Sequence, residues 1–376
     1  ETAFLMEEFM NRRYEFRYNT QIGEVEYRER FSFQFYFHPI DKRAQNSIML
    51  DAQSEGIGVW DRDIDRYLHS NRVPIYNPLE EFLFHLPHWD GKDRIHALAN
   101  RVPCKNPHWE LLFHRWFLNM VSHWRGVDKM HANNTSPILV GRQGTHKSTF
   151  CREMIPPALR AYYTDSIDFS QKRDAELYLN RFALINIDEF DQITLPQQGF
   201  LKHILQKPVV NLRKPHGRSV LELQRYASFI GTSNQKDLLT DPSGSRRFIC
   251  IEVTGNIDTT QPIDYEQLYA QAIHEIYHGE RYWFDSEDEQ IMTENNREFE
   301  QTPAMLQLFY QYFKTAQTKE EGEFLTPVEI LNFLKKKSGI SLSDNKVYHF
   351  GRLLQKCGIP SKHTYKGTVY QVIKVL

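Results

Sequence analysis

Residues Ile138-Leu-Val-Gly141-Arg-Gln-Gly144-Thr145-His146-Lys147-Ser148-Thr149 decide how this chain is read. An apolar run, Pro137 to Val140, breaks into a Gly-containing loop ending in Lys147 and Ser148, and Thr149 to Met154 follow with helical character. Strand, loop and helix N-terminus in that order make an anion site, because successive backbone N–H groups and the helix dipole converge on it. The pattern G-x-x-x-x-G-K-[ST] is met at Gly141, Lys147 and Ser148, with His146 in place of the second glycine. A nucleotide would lie along Gly141, Gly144, Thr145, His146, Lys147, Ser148 and Thr149. Lys147 would reach the β- and γ-phosphates, and the Ser148 hydroxyl would hold Mg²⁺. A position that demands φ > 0 penalises His, though less than a β-branched residue. Alone, the stretch reads equally as a turn between strand and helix.

Three further segments supply the rest of a nucleotide site. Phe182-Ala-Leu-Ile-Asn-Ile-Asp188-Glu189 is a short, almost continuously apolar run ending in two acids, as suits a strand buried on both faces of a parallel sheet. Carboxylates at such a strand's C-terminal edge lie where ligands bind in open α/β sheets. Asp188 would hold Mg²⁺ through water, and Glu189 would polarise the attacking water. Ala227-Ser-Phe-Ile-Gly-Thr-Ser-Asn234 is a third apolar run, ending in an amide able to orient that water. Asp241-Pro-Ser-Gly-Ser-Arg246-Arg247-Phe248 is a turn with paired guanidiniums ahead of the strand Phe248 to Val253. Each segment alone is a decorated strand end or turn; their order joins them.

On these residues the chain resembles the virulence-associated E family of phage and mobile-element proteins, whose ATPase domain is related to superfamily III helicases within the AAA+ class. The matching stretches are Gly141–Thr149, Ile187-Asp188-Glu189-Phe190, Gly231-Thr-Ser-Asn234 and Gly244-Ser-Arg246-Arg247-Phe248, with His88-Trp-Asp-Gly-Lys-Asp-Arg-Ile95 as the lead-in. The resemblance covers about residues 75 to 285. It implies a ring-forming homo-oligomer, a hexamer, driven by ATP or another NTP on DNA and often coupled to a primase elsewhere in the polypeptide. It also implies that Asn234 is a sensor and that Arg246 and Arg247 act as a finger on a neighbour's nucleotide. The departure at His146 bears on hydrolysis rate more than on nucleotide binding.

At 376 residues the chain suits two or three domains. Hydrophobic residues make up 40% and charged residues 25%, ordinary for a globular protein, so the fold must come from pattern rather than composition. No apolar run is long enough for a transmembrane helix, which argues against a membrane partner. The opening Glu1-Thr-Ala-Phe carries no signal-like segment and reads as a piece of a longer polypeptide. A net charge of −2 advertises no nucleic-acid partner, so any DNA site must arise from local asymmetry. The four cysteines form no C-x-x-C pair, which disfavours structural zinc and makes a reducing cytoplasm the simplest setting.

Two such asymmetries exist. Pro208 to Leu223 reads as strand, tight turn, strand, bearing Arg213, Lys214, His216 and Arg218, and lies between the acidic strand and the Asn234 strand. A surface turn is the plain reading. The resemblance to superfamily III motors suggests instead a hairpin in the ring pore, where cationic tips track the phosphates of a single strand without reading sequence. From Phe333 to Leu376 there are nine Lys or Arg, among them Lys335, Lys336, Lys346 and Lys366, against one acid, Asp344. Here Thr326-Pro-Val-Glu329 forms a capping box, Ser343 starts a second helix, and Lys366-Gly367 turns a hairpin. Helix, helix and hairpin suggest a winged helix able to contact DNA, or a merely solvated basic face.

The expected fold is α/β: an AAA+ P-loop NTPase core (76–300) with a helical lead-in, preceded by an α+β accessory region (1–75) and followed by a winged-helix-like DNA-binding domain (301–376). The expected function is that of a Mg²⁺-dependent ATPase and helicase-like motor in replication of a phage or mobile element. The alternative is a nucleotide-gated DNA-binding initiator, loader or regulator with little turnover.

Overall fold

The computed structural model describes the chain apart from residues 214–217, 241, 317, 319–320, 341–346 and 376, with backbone alone for 242–244, 348–349 and 356. The chain divides into two compact units, Glu1–Glu300 and Gln301–Leu376.

In the first unit all five residues of the strand Ser136–Val140 are buried. It is one of five parallel strands, ordered Phe248–Glu252, Ser136–Val140, Ser228–Ser233, Leu184–Ile187, Tyr163–Thr164. Alternate residues enter opposite cores: Phe248 and Cys250 one, Ile249 and Ile251 the other. Side chains on both faces of a parallel sheet require a helical layer on each. One layer includes Trp109–Trp124, buried along most of its length, and Tyr265–Tyr277; the other includes Leu195–Leu205. Gly231 is required in the central strand, because a Cβ there would stand 2.8 Å from Ile138 Cδ1 and 3.1 Å from the Ile187 carbonyl oxygen.

Residues 1–76 build a smaller sheet over a core containing Phe9, Met10, Phe16, Ile48 and Ile64. The hairpin Tyr14–Asn19 and Glu24–Glu29 lies between short strands at His38–Pro39 and Ile75–Tyr76. Its turn reaches the larger sheet's surroundings. The Asn19 amide donates to the Tyr162 hydroxyl (2.8 Å), and the Gln21 amide nitrogen lies 3.0 and 2.7 Å from the Asn180 and Arg181 carbonyl oxygens. Those carbonyls end the helix Lys172–Arg181, which leads into the acidic strand. Three helices lie outside the elements expected from the sequence: Thr2–Arg13, Lys172–Arg181 and Leu195–Leu205. The second buries only Ala175 and Leu179 among strong helix formers, and the third contains Pro196 and Gly199 but buries Gln198, Leu201, Ile204 and Leu205.

The second unit runs helix Ala304–Tyr312, strands Phe313–Thr315 and Glu323–Leu325, helices Pro327–Ser338 and Val347–Lys356, then the hairpin Ser361–Thr364 and Gly367–Lys374. The Thr326–Glu329 capping box is formed, with Glu329 N–H donating to Thr326 Oγ1 (3.2 Å) and Thr326 N–H to Glu329 Oε2 (2.7 Å). Gly339 closes that helix in the left-handed region, φ 68°. The last strand pairs antiparallel with the other three, so the hairpin belongs to a small sheet. The expected Ser343 cap lies outside the described residues.

One buried side chain joins the parts of the first unit. Arg225 is fully enclosed and donates only to carbonyl oxygens: Ala227 (2.8 Å), Ile204 (3.4 Å), Leu205 (2.7 Å), Lys207 (2.9 Å) and Asn133 (2.9 Å). Burial draws its pKa down to about 9. His123 packs beside it, its Nδ1 3.3 Å from the Arg225 carbonyl oxygen and its Nε2 accepting the Asn133 N–H at 2.9 Å. Burial, followed by the nearby guanidinium, pushes this imidazole down to about 3. Replacing Arg225 by Met would keep the bulk and orphan several buried carbonyls, each costing about 1–3 kcal/mol. Arg225→Met is therefore expected to lower unfolding stability by about 3–5 kcal/mol, read from chemical denaturation. A loss below about 1 kcal/mol would mean the carbonyls find other donors.

Candidate nucleotide site

The parallel register assembles the site. Ser233 lies opposite Val140, and Gly231 opposite Ile187, so Asn234, Gly141 and Asp188 emerge together at the C-terminal ends of three adjacent strands. The Gly141 N–H donates to the Ser233 carbonyl (3.0 Å) and starts the loop alongside the Asn234 strand. The loop turns through Gly144 (φ 83°) and His146 (φ 66°, ψ 25°) into the helix Lys147–Glu153. The helix thus starts two residues earlier than the Thr149 expected from sequence. Its first amides have no intrahelical acceptor and remain available to an anion. His146 therefore adopts the left-handed conformation that a glycine would supply without penalty, and its side chain is exposed.

Lys147 is buried, and its Nζ donates to the carbonyls of Gly141 (2.8 Å) and Arg142 (2.7 Å), with Thr145 Oγ1 and Asn234 Oδ1 each at 3.3 Å. Desolvation lowers its pKa, while the negative charges of Asp188 and Asp191 act in the opposite direction. Ser148 Oγ donates to Asp188 Oδ1 (2.8 Å), and Thr232 Oγ1 donates to the same oxygen (2.5 Å). Asp191 accepts from Ser233 Oγ (2.9 Å) and from the Asn234 N–H (3.4 Å), fixing the end of the central strand. Asp191 and Thr232 were not singled out from sequence. Their signal is adjacency: one lies three residues beyond Asp188, the other two before Asn234.

Glu189 is exposed and, with His146, is one of two described non-glycine residues at positive φ (52°). Strained backbone of this kind costs of order 1–3 kcal/mol and gathers where function over-determines geometry. Glu189 lines a cleft of about 250 Å³ with Asp165, Asp168, Gln192 and Gln197. Among the described residues no cluster of three His, Cys, Asp or Glu could hold a metal by itself. One carboxylate and one hydroxyl 2.8 Å apart suit Mg²⁺, which takes few protein oxygens and completes its octahedron with phosphate and water. Ser148 and Asp188 fit that requirement.

The other expected site residues belong to other elements. Arg246 and Arg247 end the 3₁₀ turn Pro242–Arg247, and they divide in role. Arg246 is half-exposed and pairs with Glu289 of the same chain at 3.1 Å, whereas Arg247 is 7% exposed and its pKa is lowered by burial. The basic hairpin pairs Val209–Leu212 with Leu221–Gln224 as a separate two-stranded sheet. Arg213 and Arg218 flank its tip and are exposed; Lys214 and His216 lie outside the described residues. In the second unit Lys335 and Lys336 sit in the last turn of their helix and Lys366 at the hairpin turn, while Lys346 lies outside the described residues.

The model of the virulence-associated protein E-like domain matches residues 83–301, more than half of the chain and all of this nucleotide site. The chain belongs to the virulence-associated protein E-like family. A domain of unknown function described from a B. Theta gene matches residues 302–372. No curated protein matches the chain. Among solved structures, the apo C-terminal region of NrS-1 is similar at 12% identity, covering 100% of this chain and 99% of that one with a TM-score of 0.51. Its A form gives 0.48 at the same identity, over 99% of each chain. The likeness to the first is one of fold. The mixed α/β architecture with a parallel sheet is thus shared with NrS-1, and among the described residues no helix is long and apolar enough to cross a membrane.

The loop geometry of this family member yields a prediction. His146→Gly removes a left-handed non-glycine residue and leaves every Lys147 contact in place, so nucleotide affinity should stay within about threefold of wild type. His146→Val should lower stability by about 1–2 kcal/mol. Thermal melting and titration with a fluorescent nucleotide measure both. A large affinity loss in His146→Gly would make the imidazole a nucleotide contact.

Proposed function

We propose that this chain is a Mg²⁺-dependent NTPase of the AAA+ class that works as a hexameric ring on single-stranded DNA during replication of a phage or mobile genetic element, in the cytoplasm. The observation carrying this reading is the joint position of Lys147, Asn234 and the Ser148–Asp188 pair at three adjacent strand ends. Family membership and the NrS-1-like fold support it.

Mg²⁺ held at Ser148 and Asp188 would neutralise phosphate charge. The chain's own groups do the rest. Helix amides and the Lys147 ammonium bind the β- and γ-phosphates, and Lys147 remains tethered to Asn234. Glu189, free of hydrogen bonds to Ser148 or Thr232, orients the attacking water and accepts its proton; Asn234 holds that water on its other side. Arg246, half-exposed, is the finger toward a neighbour's nucleotide once it leaves Glu289, while Arg247 supports the turn from within. The Val209–Gln224 hairpin and the second unit, a winged helix, contact DNA through Arg213, Lys214, His216 and Arg218, and through Lys335, Lys336, Lys346 and Lys366. The Arg246–Glu289 pair within one chain favours a second reading, a nucleotide-gated initiator or loader whose finger is rarely released.

Lys147→Ala is expected to abolish nucleotide binding. Glu189→Gln should keep binding and lose about 10²–10⁴-fold in turnover, measured by phosphate release with and without single-stranded DNA. Unchanged hydrolysis in Glu189→Gln would remove this carboxylate from the mechanism, and DNA-insensitive, negligible wild-type turnover would select the second reading.

A finger acting on a neighbour makes assembly part of catalysis, and such fingers are worth about 10³–10⁵ in rate. Specific activity should rise with protein concentration. Doping wild type with Arg246→Ala protein should inhibit beyond dilution; strictly additive mixing would return Arg246 to a purely intramolecular role.

A further inference from the structure

Residues Arg28 to His38 read Arg-Glu-Arg-Phe-Ser-Phe-Gln-Phe-Tyr-Phe-His. The rings of Phe31, Phe33, Phe35 and Tyr36 stand in solvent, 92, 96, 71 and 84% exposed. Single exposed aromatics are ordinary, but four within six residues form a patch that needs an occupant. Neighbouring Phe9, Tyr14 and Phe16 are buried, so this region has its core without them.

The foot of the patch is rich in arginine. The Arg28 Nη1 donates to the Phe35 carbonyl (2.9 Å), tying the loop to the hairpin. The Arg28 and Arg17 guanidiniums lie 4.5 and 4.0 Å from the Phe37 ring centre, and Arg17 also lies 3.7 Å from that of Tyr76. A cleft of about 440 Å³ opens there, lined by Arg17, Arg28, Arg30 and Arg72 and by Glu15 and Glu81. These arginines also pair with carboxylates, Arg17 with Glu26, Arg28 and Arg30 with Glu15, and Arg72 with Glu7. A guanidinium has five N–H donors, so pairing fixes its position and leaves donors over.

We infer that the Phe31–Tyr36 loop and its arginine cleft form a binding site for single-stranded nucleic acid, with bases stacked on the exposed rings and the phosphate backbone on the guanidiniums. Unpaired bases offer π-faces to aromatic rings without any need for hydrogen-bond readout, and the backbone offers the anions. An apolar protein surface would be served by the rings alone and would leave the remaining guanidinium donors of the cleft without acceptors. The site shares no residue with the basic hairpin or with the second unit. The inference rests on the reading that the chain handles DNA, but not on nucleotide hydrolysis.

The test uses the full chain, without nucleotide, and a fluorescein-labelled oligothymidylate of roughly 16 nucleotides, followed by fluorescence anisotropy. The variant Phe31→Ala/Phe33→Ala/Phe35→Ala/Tyr36→Ala should bind about 10- to 100-fold more weakly than wild type. Its melting temperature should be unchanged, because the rings are in solvent. Photo-crosslinking a 5-bromouracil strand to wild type should mark the peptide containing Phe31–Tyr36, a readout independent of the variant. Wild type that binds while the variant binds equally, with crosslinks elsewhere, overturns this site and leaves the proposed function standing. Equal oligonucleotide binding with loss of self-association, or of binding to phosphatidylcholine vesicles, also overturns it, assigning the patch to a second copy or to lipid. Wild type that binds no single strand fails both readings.

Discussion

A buried guanidinium with only carbonyl partners among the described residues is the constraint on which the first unit depends. Arg225 follows the last strand of the basic hairpin and precedes the central strand of the parallel sheet. Its donors hold the end of the helix Leu195–Leu205, the segment leading into the hairpin, and the chain before Ser136. A fully enclosed cation is tolerated only when its donors are satisfied, so these segments must sit at fixed distances from one another. The base of the hairpin is therefore tied to the start of the Ser228–Ser233 strand, which leads to Asn234.

At the other end of that strand, hydrogen bonds rather than packing set the chemistry. Asp188 Oδ1 accepts from Ser148 and Thr232, Asp191 accepts from Ser233 and Asn234, and Asn234 accepts from Lys147. Two strand ends and the loop that enters the Lys147 helix are thus cross-linked at one edge of the sheet, the usual location for ligands in open α/β sheets. Thr232 keeps the carboxylate of Asp188 directed toward Ser148, and removing either hydroxyl would free it to rotate.

The range of each interaction decided whether the sequence revealed it. Buried parallel strands announce themselves as apolar runs, and strand-end polar groups such as Asp188 and Asn234 are located by where those runs stop. The Thr326–Glu329 cap is a contact between residues three apart and was equally legible. Thr232 and Asp191 lie beside residues the pattern marks, but their pairing across strands depends on register, and Arg225 resembles any surface arginine until carbonyls from residues 133 and 204–207 converge on it. His146 looked like a defect in a glycine pattern, yet the conformation it adopts is the one the pattern calls for, because sterics restrict that region without closing it to His. The helix Lys172–Arg181 is hard to read because it buries a single i, i+4 pair, Ala175 and Leu179, in a largely charged segment.

The Asn19 and Gln21 contacts bear on how such proteins exchange parts. Asn19 satisfies the Tyr162 hydroxyl and Gln21 the last carbonyls of the helix before the acidic strand, so residues 1–76 complete the polar surface of the nucleotide-binding half. A recombination junction near residue 76 would hand the incoming sheet a set of unmatched polar groups. A junction at Glu300, where the two compact units meet in sequence, leaves the Asn19 and Gln21 contacts intact. Mosaic relatives that keep this sheet are therefore expected to inherit its N-terminal hairpin with it, and to vary more freely beyond residue 300.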